Sequence, residues 1–311
     1  MTQFLQTLTD GLTVGALYAL IALGYTMVYG ILKFINFAHS DVFALGVHLS
    51  IVIASILGIK ALGDTGTPPW YMGALVLVLA MLACGAIGFL VERLAYKPLR
   101  SAPRLNVLIT AIGVSLLFQN AGQLPWAFGV SPRAWPTLLP DGELFSIAGV
   151  KFRLVHAVVL ATAIALMLAL QYLIFKTKLG SAMRAVSFNT RTAALMGINV
   201  NGIISFTFVV GSMLAAAGGF LYGVYYGGQM KQTADSMWVM LGLKAFVAAV
   251  VGGIGNVRGA VLGGIMIGLI EFFGVQYVSD QYRDAYVFAI LILVLLFKPE
   301  GVFGKATVEK V

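Results

Sequence analysis

The side chains able to carry chemistry in this 311-residue chain are few and widely spaced. Its histidines are His39, His48 and His156, and none stands in an HExxH or comparable pairing that would hold a metal. Cys84 is the only cysteine and lies in an apolar run, which excludes an internal disulfide and a cysteine-based metal site. No GxxxxGK[ST] loop is present to cradle nucleotide phosphates, so the chain is not expected to hydrolyse ATP itself. What remains are polar groups set among apolar ones. Lys244 and Glu271 each stand inside a hydrophobic run, where an ionisable group is costly unless it faces protein or water. Their opposite signs predict a pair, one that either fixes helix register or touches a bound solute. Asn36, His39 and Asp41 cluster where the first apolar run gives way to the second. They read as a capped turn, with Ser40 and Asp41 at the positive end of a helix. The sharper alternative is a polar gate in which His39 changes charge near neutral pH.

The elements that must position these groups are membrane helices. Sixty per cent of residues are apolar and only 10% charged, and mean hydropathy is +0.95, whereas a soluble fold carries about 25% charged residues. Apolar runs recur over 11–32, 41–58, 72–91, 105–122, 154–175, 203–226, 237–252, 259–278 and 285–297. Most match the ~20 residues a helix needs to cross a bilayer. The fold class is therefore all-α: a polytopic transmembrane bundle of eight or nine spans, forming a single domain over 1–311. A β-barrel would need alternating segments, and the near-continuous apolarity of Leu160–Phe175 excludes it. No Lys or Arg precedes Lys33, so a cleavable signal peptide is not expected and the first span should be retained.

Basic residues set the expected orientation, because Lys and Arg accumulate on cytoplasmic loops. Arg93, Lys97, Arg100 and Arg104 share one loop, and Lys176, Lys178, Arg184 and Arg191 another. Placing both inside puts Lys33, Arg258, Lys298, Lys305 and Lys310 inside as well. Lys60, Arg133, Lys151, Arg153, Lys231 and Arg283 then lie outside. The N-terminus is expected on the outer side and the C-terminus in the cytoplasm. The net charge of +8 is thus a topology signal, and nucleic acid is not an expected partner, since no basic stripe is interleaved with stacking aromatics.

Small residues recur every fourth position at Gly11-Gly15-Ala19, Ala80-Cys84-Gly88 and Gly211-Ala215-Gly219-Gly223-Gly227. They read as close-packing ridges between helices, or as the lining of a passage. Gly252-Gly253-Ile254-Gly255-Asn256 breaks a late apolar run and reads as a turn or a re-entrant segment. The long stretch Gln123–Arg153, with Trp126, Pro132, Trp135, Pro136 and Pro140, is a candidate outer docking surface or a plain cap.

The loop of about 176–202 is polar and basic between two apolar segments. Asn189 or Thr190 can cap a short helix there, and Gly197 can end it in a left-handed turn. Such a helix is marginal alone, so it is expected to be firm only against a partner. Ala193, Ala194, Leu195 and Met196 offer an apolar knob for that partner, and Arg184, Arg191 and Thr192 flank it.

The run Gly11-Leu12-Thr13-Val14-Gly15-Ala16-Leu17-Tyr18-Ala19-Leu20-Ile21-Ala22-Leu23-Gly24, with Val28-Tyr29-Gly30 and Ile35-Asn36-Phe37-Ala38-His39, resembles the LivH-type permeases of branched-chain amino-acid ABC importers. So do Ala182–Val186, Leu195–Val200, Gly242–Gly255 and Lys298-Pro299-Glu300-Gly301-Val302-Phe303-Gly304, in order and nearly end to end. The resemblance implies a bacterial inner-membrane permease with no catalytic residue, metal or cofactor of its own. It also implies a homologous second permease, two cytoplasmic ATPase subunits carrying ATP-Mg, and a periplasmic substrate-binding protein. Arg184 and Arg191–Gly197 would then couple to the ATPases. The chain departs from the family where Gly-Glu is common, at Ser40-Asp41, and where Glu-Ala-Ala is common, at Thr192-Ala193-Ala194. Permeases for urea, amides or other amino acids remain open on this resemblance. A self-sufficient secondary transporter is the reading from another class, though no internal repeat supports it.

Overall fold

A computed structural model describes residues 2–59, 69–100, 102–140, 142–147, 149–227 and 237–304. Lys60, Lys231, Lys305 and Lys310 lie outside the described residues. The chain runs through α1 (Thr2–Leu32), α2 (His39–Ile56) and α3 (Trp70–Val91), then a π-helical turn (Glu92–Tyr96) and α4 (Arg104–Gly122). Next come α5 (Leu154–Lys176), α6 (Lys178–Phe188), α7 (Thr190–Leu195), α8 (Val200–Tyr226), α9 (Met237–Gly252), α10 (Val257–Tyr277) and α11 (Arg283–Phe297). Seven of these are long and apolar enough to cross a membrane: α1, α2, α3, α4, α5, α8 and α10. At 16 and 15 residues, α9 and α11 fall short of the ~20 that a full crossing takes. The chain is a multi-pass membrane protein with an all-α bundle fold.

One antiparallel hairpin departs from the helical expectation, with β1 (Glu143–Ile147) paired to β2 (Val150–Arg153). Phe145 stacks on Phe152 across it, 5.0 Å apart, and the Lys151 N–H donates to Gln6 Oε1 of α1. The rest of the 123–153 stretch divides in two. Trp126 is exposed, whereas Trp135 and Pro136 are buried, with Trp135 edge-on to Phe220 of α8.

The small-residue ridges are packing surfaces. A Cβ at Gly268 of α10 would sit 2.4 Å from the Gly15 backbone of α1, and one at Gly264 would meet Ala19. On α8, a Cβ at Gly219 would meet the Phe43 carbonyl of α2 at 2.4 Å, while Gly211 faces Gly24. Backbones approach this closely only where no side chain intervenes, and dispersion replaces the hydrophobic drive that lipid does not supply. As a result α1 and α8 are sheathed by protein, while α3, α4 and α5 keep broad apolar faces exposed.

The glycine-rich break is an ordinary turn between antiparallel α9 and α10. Gly253 and Gly255 take positive φ of 99° and 93°, and Asn256 caps α10 by accepting from Arg258 and Gly259 N–H. The C-terminal segment closes over it: the Val302 N–H donates to Val251 O, and Asn256 Nδ2 donates to Phe303 O.

Candidate functional site

The stretch after α5 is a built module. Thr177 caps α6 by accepting from Gly180 N–H at 3.1 Å. Gly180 is required there, because a Cβ would lie 2.2 Å from the Leu173 and Ile174 carbonyls. α6 is anchored at several points. Met183 and Val186 are buried, Ser187 Oγ donates to Gly30 O of α1 at 2.6 Å, and the Arg184 guanidinium donates to Ile174 O. Arg184 and Arg258 both approach the Phe175 ring, each 5.7 Å from its centroid, so α10 is joined to the same corner.

α7 follows at once. Asn189 Oδ1 accepts from Thr192 N–H at 3.0 Å. At the far end, Gly197 N–H donates to Ala194 O and Ile198 N–H to Ala193 O, with Gly197 at φ +80°. This paired closure is the Schellman arrangement. A six-residue helix cannot hold itself, so the caps and the burial of Ala193 hold it. Ala193 is therefore the anchor rather than part of the knob. Leu195 at 88% exposure and Met196 at 79% project outward, with Ala194, Arg191 and Thr192 also exposed. Phe188, the last residue of α6, is also exposed, at 95%. Sequence reasoning did not pick it out, although an aromatic closing a polar, basic helix was the available signal.

The in-span groups form two constellations. Lys244 Nζ lies 2.9 Å from Glu271 Oε1 and 2.6 Å from Asp284 Oδ1. Arg283 Nε is 3.2 Å from the same Glu271 oxygen, and Tyr18 donates its hydroxyl to Glu271 Oε2 at 2.7 Å. Glu271 thus ties α1, α9, α10 and α11 together. Tyr18, Arg283 and Asp284 were not foreseen as members. Asn36, His39 and Asp41 are neighbours in the chain but engage different partners. Tyr96 donates to Asn36 Oδ1 at 2.6 Å, and Gln119 Nε2 donates to Asp41 Oδ1 at 3.1 Å. The His39 ring lies edge-on to Tyr25, 4.6 Å between centroids. α9 runs alongside both constellations: Phe246 faces Tyr25 and Phe37, and Gly242 abuts Ser40. A third cluster went unnoticed in the sequence. His156 Nε2 meets Asp10 Oδ1 at 2.9 Å and Tyr225 donates to that oxygen at 3.2 Å, binding α5 and α8 to α1 at the end opposite α7.

The structure is thus an apolar bundle with internal ion pairs and one short, capped, outward-facing helix, and known proteins share its sequence pattern. A family model described as branched-chain amino acid transport system / permease component matches residues 7–295. The chain belongs to that family. It is 42% identical over 311 residues to the high-affinity branched-chain amino acid transport system permease protein BraD of Pseudomonas aeruginosa, covering 99% of this chain and 98% of that one. The permease protein LivH of Escherichia coli strain K12 is 40% identical, again over 99% and 98% of the two chains. A more distant relative, the probable permease LivH of Methanocaldococcus jannaschii, is 26% identical over 93% of this chain.

Proposed function

We propose that this chain is the permease subunit of an ATP-binding-cassette importer that moves branched-chain amino acids across the bacterial inner membrane. Separate cytoplasmic ATPase subunits, carrying ATP-Mg, power it. A second, homologous permease completes the path, and a periplasmic binding protein delivers the solute. The observation that carries this reading is α7, a helix too short to stand alone that is capped at both ends, anchored through Ala193, and turned so that Leu195 and Met196 project from the protein. Large apolar side chains standing this far out of a membrane protein suit a groove on a partner. Closure of the ATPases would push α7, and α6 and α8 would carry the motion into the spans. Asn36, His39, Asp41, Lys244 and Glu271 are the polar groups along which a gate would act.

The test is co-purification with the ATPase subunits. Wild type is expected to retain them, and Leu195→Asp, which places a charge at the tip of the knob, to weaken the association by at least about thirtyfold, as loss of an interface hot spot does. A chain that transports in liposomes without any ATPase overturns the importer reading.

A further inference from the structure

We propose that Glu92 is a positioning residue for energy coupling: it holds Arg100 against the first turn of α8, so that displacement of α7 reaches α3 and α4 together with α8. This rests on the reading of α7 as the ATPase contact. The Glu92 side chain is wholly buried, and Arg100, on the connection to α4, pairs with its Oε1. Its Oε2 accepts from Ser205 Oγ of α8, and the other terminal nitrogen of Arg100 donates to Asn201 Oδ1. Asn201 is the second residue of α8, directly after the short linker from α7. One carboxylate therefore joins the end of α3, the approach to α4 and the start of α8.

A purely structural role explains this poorly. Well-packed apolar side chains usually replace a buried ion pair at no loss of stability, and the best-attested use of such a pair is to fix one arrangement among alternatives. The backbone is also specialised here. The turn Glu92–Tyr96 is π-helical, with the Lys97 N–H reaching the Glu92 carbonyl, a widened turn that recurs at functional positions. Tyr96, on that same turn, bonds Asn36 in the α1–α2 linker, so the α1–α2 linker joins the end of α3, the approach to α4 and the start of α8. Beside this junction lies a cavity of about 520 Å³, lined by Ile31, Phe34, Tyr96, Arg100, Thr190 and Asn201. Thr190 opens α7, so the docking helix and the network border the same cavity.

The experiment uses the full complex, with its ATPase subunits and binding protein, in liposomes, and reads solute transported per ATP hydrolysed. Glu92→Gln is expected to assemble and to lower that ratio at least about fivefold, the lower range of measured coupling between sites; Ser205→Ala lowers it less. A residue with only a structural role would reduce assembly, hydrolysis and transport together and leave the ratio unchanged, which overturns the proposal. Should Glu92→Gln yield no complex, Asn201→Ala, a change to an exposed side chain, takes its place, and an unchanged ratio there is equally fatal. Failure of wild type to bind any ATPase would overturn the docking reading and this inference with it. An unchanged ratio in an assembled complex overturns this inference alone.

Discussion

Glu271 sits where two cations and a hydroxyl converge, so its removal is felt by more than one partner. Glu271→Ala leaves Lys244 and Arg283 facing each other across a site built for an anion, and breaking a buried pair from one side costs about 3–5 kcal/mol. Lys244 keeps Asp284 at 2.6 Å, and Arg283 keeps Asp280 at 3.8 Å, so the lower figure is expected. The double change Lys244→Met with Glu271→Gln removes both charges and should melt higher than Glu271→Ala alone. The reverse order in thermal denaturation would show that these charges contribute individually rather than as a pair. Simple charge exchange is a poor test, because a carboxylate at position 244 would face Asp284 and a cation at 271 would face Arg283. The pair itself was legible in the sequence, since two opposite charges inside apolar runs have few other ways to be stable. Its other members were not. Tyr18 lies 253 positions from Glu271, and a tyrosine in a span carries no charge to betray it, while Arg283 and Asp284 stand at a helix start and read as solvent-facing.

Gly197 shows the same logic at the level of an element. Its φ of +80° costs a residue with a Cβ about 1–2 kcal/mol, which is comparable to everything a six-residue helix gains from its caps. Gly197→Val should therefore fray α7 while leaving the bundle intact, because α7 stands outside the packed spans. Amide exchange reads this directly: the amides of Ala193, Gly197 and Ile198 should exchange faster with the melting temperature unchanged. A fall in melting temperature with no local change in exchange would mean that α7 is part of the core. This element was legible because its stop signal is chemical, a glycine after a capped run, and caps leave a mark in the sequence. The hairpin over residues 143–153 was missed because its strands span only five and four residues, too short for alternation to stand out from a polar loop. The π-helical turn at Glu92 left no mark either, since one extra residue per turn changes geometry without changing residue type.

At the scale of the whole molecule the distribution of charge sets the orientation. Ser187 bonded to Gly30, Arg100 to Asn201, and Arg184 and Arg258 about one ring bring the ends of several helices to one face. Lys33, Arg93, Lys97, Lys176, Lys178 and Arg191 stand on or next to these helix ends. The opposite end carries Arg133, Lys151, Arg153 and Arg283. Basic residues resist translocation, so the α6–α7 end is expected in the cytoplasm, where ATP is available, and the hairpin and Trp126 in the periplasm. Cys84 is buried, so single reporter cysteines can be read against little background, and a Cys84→Ala chain removes even that. In such a chain Trp126→Cys should react with a membrane-impermeant maleimide added to intact spheroplasts, and Phe188→Cys only after the membrane is opened; both native side chains are exposed, at 80% and 95%. The opposite pattern would place α7 in the periplasm, beyond the reach of any ATPase, and would defeat the coupling scheme however well the helix is built. Orientation is thus the property on which the residue-level and element-level readings jointly depend, because a capped helix and a buried relay can transmit force only if the force is applied on their side of the membrane.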